Sequence, residues 1–146
     1  GDNEISGESI KEILHAVGKT DVVLAHTVNK DARALKRRLF SKTYIFLINL
    51  MFGLKVRYYN GPGVFKTSML QSLPSSARKD EGFFDFHAEV VVRMLKCRKA
   101  TYTEVPMYLQ PRSIGVSKAL TIGNFKNVIK RIGKLFWEVM VLRRRN

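Results

Sequence analysis

The stretch that most constrains the fold is DVVLAH, residues 21–26. It is a short, β-rich apolar run with no polar alternation, which fits a parallel strand buried on both faces behind a crossover helix. The residues before it, SGESIKEILHAVGK, place Ile10, Ile13, Leu14 and Val17 at helical spacing after a Ser cap, with Gly18 as a stop signal. A short amphipathic helix feeding a buried strand indicates α/β organisation.

The rest of the chain extends that pattern. From Asp31 to about Leu54, DARALKRRLFSK runs into the apolar TYIFLINLMFGL and reads as one long helix or two abutting ones, ending near Gly53. KVRYY (55–59) reads as a strand, NGPG (60–63) as a turn or exposed loop, and VFKTSML (64–70) as a strand running into a helix start. FDFHAEVVVRMLKCR predicts a helix and KATYTEVPMYL the last strand. In the C-terminal stretch, residues 119–146, Phe125, Val128, Ile129, Ile132, Leu135, Phe136, Val139 and Met140 recur at steps of three and four, with Lys126, Lys130, Arg131 and Lys134 between them. That is a basic amphipathic helix. A mixed sheet of three or four strands follows from this element order.

A chain of 146 residues, 45% of them hydrophobic, supports one domain with a real core. A formal charge of +14 favours an anionic partner: a phosphorylated substrate, a nucleic acid or an anionic membrane surface. Cys97 is the single cysteine, which excludes an internal disulfide or multi-thiolate zinc site, points to a reducing compartment and leaves the thiol as a packing residue. His15, His26 and His87 lack a short metal-ligand spacing. The longest apolar run falls short of the roughly 18–20 residues that span a bilayer. The chain opens on GDNEIS, without an initiator Met or a targeting pattern, and reads as cut from something longer.

Several blocks carry a resemblance: GDNEIS, KRRLFSK, YYNGPGVFK, FHAE and above all EVPMYLQPRSIGVSK. In order and spacing they resemble the second half of a family 2 glycosyltransferase, close to the polyprenyl (dolichyl) phosphate sugar synthases. The resemblance implies the C-terminal half of a GT-A fold, a three-layer α/β/α domain with a small mixed sheet and a C-terminal amphipathic helix. It implies a sugar transferred from a nucleotide-sugar donor to a polyprenyl phosphate or lipid-linked glycan, with a divalent metal, Mg²⁺ or Mn²⁺. Asp2 and Glu4 match the acidic motif that would hold that metal, because a hard cation prefers carboxylate oxygens and bridges a diphosphate.

On the acceptor side the resemblance assigns Arg37 and Ser41 to the acceptor phosphate, and their spacing of four puts both on one helix face. Arg112, Ser117 and Lys118 match the terminal R-x-x-G-x-S-K, with Gly115 giving that loop freedom to act as a lid. Glu89 matches an acidic residue near the acceptor, and Glu89 or Asp85 would serve as base if the acceptor were a hydroxyl. Asn60 and Gly63 lie in a Gly-rich turn whose amides suit a sugar or phosphate. Two positions depart from the family: His26 and Thr27 stand where relatives carry Ser-Arg, and the YYNGPG loop lacks the usual Asp.

The excess of Lys and Arg and the basic C-terminal helix fit an enzyme in the cytoplasm, peripheral at the cytoplasmic face of a membrane. The alternatives are a non-catalytic fragment, its sheet left partly uncovered by a missing half, and a basic anion- or nucleic-acid-binding module. Against nucleic acid, the cations are spread through every element and no helix-turn-helix, finger or RNP pattern occurs.

Overall fold

A computed structural model describes residues 5–29, 35–74, 86–109 and 122–141, with the side chains of 35–37 and 122–127 outside that description. The expected buried strand is β1, Val22–Thr27, whose Val22, Val23, Leu24 and Ala25 are at most 2% exposed. It is the middle of a three-stranded mixed sheet among the described residues, ordered β2-β1-β3. β3 (Tyr102–Met107) runs parallel to β1, pairing Val22 with Tyr102 through to Thr27 with Met107. β2 (Gly63–Phe65) runs antiparallel on the other side, pairing Val22 with Phe65 and Leu24 with Gly63.

Helices cover both faces, which is why β1 carries no polar alternation. On one face α1 (Gly7–Ala16) sets Ile13 and Ala16 against Val23, Ala25, Val105 and Met107. On the other, Val22 and Leu24 join the main core with α2 (Leu35–Phe52), α4 (Phe86–Cys97) and α5 (Ile122–Phe136). Tyr44, Ile48 and Phe52 of α2, Val91 of α4 and Ile132 of α5 are the packing residues, and Phe52 meets Phe136 edge to face at 5.9 Å. A short α3 (Thr67–Gln71) follows β2, and Cys97 packs against this core. α5 passes into a π-helical turn at Trp137–Val141, with Val139 buried.

The termini of the helices follow local chemistry. Ser6 caps α1 by accepting from the Ser9 amide, and Gly18 (φ +85°) and Gly53 (φ +58°) adopt the left-handed conformation that ends α1 and α2. At the amino end of the sheet Asp21 ties the three strands together. Its carboxylate accepts from the Thr101 amide (3.0 Å) and hydroxyl (2.7 Å) and from Lys66 (3.3 Å). The Thr101 hydrogen bonds, and after them Lys66, hold its pKa below the ordinary value of 3.8.

Two sequence expectations fail. KVRYY forms no strand, because other groups take its backbone: the Asn49 side chain binds Val56 N (3.1 Å) and O (2.9 Å), and Glu104 takes Arg57 N (2.7 Å). In α1 the buried face is Ser9, Ile13 and Ala16, leaving Ile10, Leu14 and Val17 exposed. The sheet lies against Ser9 because its hydroxyl receives the Tyr108 amide at 2.9 Å.

Candidate functional site

In layered α/β folds, ligands sit beyond the carboxyl ends of the parallel strands. Here the chain gathers several of its segments there. Ile5 bridges Leu109, just past β3, and Ser6 N donates to Tyr108 O at 3.3 Å. Asn29, just past β1, uses its whole amide on the same residue: Nδ2 donates to Leu109 O (2.7 Å) and Oδ1 accepts from Leu109 N (2.9 Å). Residues 5, 29 and 109 are thus fastened together at one end of the sheet.

The loop 58–62 arrives at the same end. Ala25 N donates to Pro62 O at 3.0 Å, and Gly61 lies so close to β1 that a Cβ would stand 2.2 Å from Ala25 O. Gly63 opens β2 beside His87, near the start of α4; a Cβ there would be 3.2 Å from the imidazole. His87 Nδ1 is 2.6 Å from Tyr59 O and, because that carbonyl only accepts, carries the proton there. The Phe65 ring meets the His87 ring edge to face at 5.4 Å.

A charged cluster joins β1, β3 and the segment after α2. Glu104 is 13% exposed and holds Arg57 twice, at its backbone N–H and at Nε (3.7 Å). Arg57 itself is 68% exposed, and its Nη1 lies 3.4 Å from His26 Nε2. Beneath them Tyr59 is buried and donates its hydroxyl to Asn49 Oδ1 at 2.7 Å. Burial, with the charges of Tyr102 and Glu104, pushes its phenol far above the ordinary value of 10.

Of the residues singled out from sequence, Asp2, Glu4, Asp85, Arg112, Ser117 and Lys118 lie outside the described residues, as does the side chain of Arg37. Arg37 does belong to α2, one turn before the half-buried Ser41. Asn60 falls in the loop 58–62 that lies against Ala25, and Gly63 opens β2 opposite Leu24. The Asn60 Oδ1 is buried without a hydrogen-bond partner among the described residues, as is the hydroxyl of Thr27 at the end of β1. Glu89 accepts from Arg93 Nε at 2.8 Å, and Arg93 also binds Glu138 of the π-helical turn. Burial lowers the Arg93 pKa, but the hydrogen bonds to Glu138 and Glu89 outweigh it and leave the guanidinium above its ordinary range. Glu89 thus orients Arg93 along α4, and Arg93 in turn braces α4 against the C-terminal helix through Glu138.

Sequence reasoning missed Arg57, Glu104 and His87. The available signal was an ionic residue inside each of two apolar segments, Arg57 in KVRYY and Glu104 in TYTEVPM. Among the described residues no group of three or more His, Cys, Asp or Glu side chains is placed to hold a metal ion. Comparisons with protein-family models, with curated proteins and with solved structures give no match.

Proposed function

We propose that the chain is the C-terminal half of a GT-A catalytic domain of the family 2 type, contributing the acceptor side of a glycosyltransferase. The observation that carries this reading is the fastening of residues 5, 29 and 109 at the carboxyl end of β1 and β3. These three points adjoin the acidic stub with Asp2 and Glu4, the basic stretch leading to Arg37 and Ser41, and the R-x-x-G-x-S-K segment with Arg112, Ser117 and Lys118. The segments that carry these motifs therefore join the described fold at one end of the sheet.

The donor is a nucleotide sugar and the acceptor a lipid phosphate or lipid-linked glycan. A bound Mg²⁺ or Mn²⁺ would neutralise the departing diphosphate, with Asp2 and Glu4 as the carboxylates offered by this chain. An already ionised phosphate oxygen needs no base as nucleophile, whereas a hydroxyl would need Asp85 or Glu89, the latter paired with Arg93. The cationic side chains bind and orient the two phosphate-bearing substrates.

The enzyme works against an anionic bilayer. Leu39, Phe46 and Leu50 lie on the α2 face opposite its buried Tyr44, Ile48 and Phe52, with Lys42 beside them. Ile129 and Trp137 are exposed near Lys130 and Lys134 on the C-terminal helix. Apolar side chains interleaved with lysines suit a headgroup interface. Among the described residues no helix is long and apolar enough to cross a membrane.

The test is sugar transfer to a prenyl phosphate by the complete catalytic polypeptide. Arg37→Ala and Arg112→Ala should each lower the rate by about one to two orders of magnitude, the loss of a charge-assisted phosphate contact. Unchanged rates in both variants would refute the assignment of these residues.

A further inference from the structure

We propose that Arg57 is an anchor for a substrate phosphate, held in place by Glu104 and His26 at the carboxyl end of β1. The inference rests on the transferase reading for its substrates, but its geometry stands on other residues. Arg57 is 68% exposed, yet two neighbours, Glu104 and His26, contact it at three atoms. Its backbone N–H is bound by Glu104 Oε1 at 2.7 Å, its Nε faces Oε2 at 3.7 Å, and its Nη1 faces His26 Nε2 at 3.4 Å.

A guanidinium has no acceptor, so His26 Nε2 presents its lone pair to Arg57. His26 therefore stands as a wall that orients the fork. Among the described residues the carboxylate paired with Arg57 is Glu104, and its shortest contact is with the backbone rather than the guanidinium. With the side chain 68% exposed, the guanidinium keeps N–H donors open to solvent that a phosphate oxygen can take.

Location adds a second argument. His26 is the penultimate residue of β1, and Arg57 immediately precedes the loop 58–62 that is pressed against Ala25. The anchor thus stands on the strand end where ligands of layered α/β folds bind. It does so on a rigid base: Val56 and Tyr59 on either side are buried and fastened by Asn49. A solvated surface arginine needs no such support.

A phosphate here could belong to the donor diphosphate or to the acceptor lipid, and the experiment separates them. The 146-residue chain, labelled with ¹⁵N, is titrated at constant ionic strength with inorganic pyrophosphate and, separately, with geranyl phosphate. Saturable shifts of the Arg57 Nε–H and His26 ring signals are expected. Pyrophosphate alone producing them assigns the donor side, geranyl phosphate alone the acceptor side. Arg57→Gln should weaken binding at least about tenfold, and Arg57→Lys less, since it keeps the charge and loses the fork. Lys19→Gln removes the same charge at the turn before β1 and should change affinity less than about twofold. Absence of saturable shifts at these groups in the wild type, or equal weakening by Arg57→Gln and Lys19→Gln, would overturn the proposal. Phosphate binding at Arg57 without any sugar transfer would instead refute the transferase reading alone.

Discussion

Gly61 shows how a single residue shapes the site. An added Cβ would meet Ala25 O at 2.2 Å and Tyr58 Cδ1 at 2.9 Å, and the first of these belongs to the central strand, which cannot yield. Gly61→Ala should therefore push the loop 58–62 off β1, at a cost of roughly 2–3 kcal/mol in denaturant unfolding. An unchanged midpoint would contradict the close approach. Asp21 gives a residue-scale prediction in pH. Its folded pKa is depressed below 3.8, so its contribution is present above that value and is lost as pH falls through the folded value. The melting temperature of Asp21→Asn should lie below that of wild type at about pH 7, with the gap shrinking by about pH 2. A constant gap would show that Asp21 does not act through its charge. Of these two residues, NGPG disclosed the turn around Gly61. The partnership of Asp21 with Thr101, distant in sequence, left no local mark.

At the scale of elements, the pattern of apolar residues was informative wherever apolar packing alone decided burial. β1, β3, α4 and the long α2 ending at Gly53 were all legible because their apolar residues alone satisfy the packing. Segment 55–59 was not: its alternation resembled a strand, while Asn49 and Glu104 from other elements took its backbone groups. α1 misled for a related reason, since Ser9 lies on its buried face through a hydrogen bond from Tyr108, just past β3, and Ile10, Leu14 and Val17 are exposed. The exposed stripe of α2 bears a separate prediction. Replacing Leu39, Phe46 and Leu50 with Ser should leave the helix content unchanged, because these side chains lie off the core. Cosedimentation with vesicles containing anionic phospholipid should fall by about tenfold or more. Equal cosedimentation of the triple variant and wild type would remove α2 from the membrane-facing surface.

For the molecule as a whole, the mixed α/β class and the helices on both faces were legible, since a small chain with one uniformly apolar strand has few other ways to cover it. Little of the candidate site was legible: the turn around Asn60 was marked by its glycines, whereas Glu89 turns to Arg93 and the cluster of His26, Arg57 and Glu104 is assembled from three segments that sequence spacing does not connect. A charge of +14 gives the chain a long-range attraction for phosphates, which salt will screen. The central claim is that the carboxyl end of β1 and β3 forms part of a nucleotide-sugar transferase. Its most direct test is calorimetric titration of the complete catalytic polypeptide with UDP- and GDP-sugars, first with Mn²⁺ and then with EDTA. The account predicts saturable binding of one nucleotide sugar that is lost on chelation; no binding of either with Mn²⁺ present would contradict it.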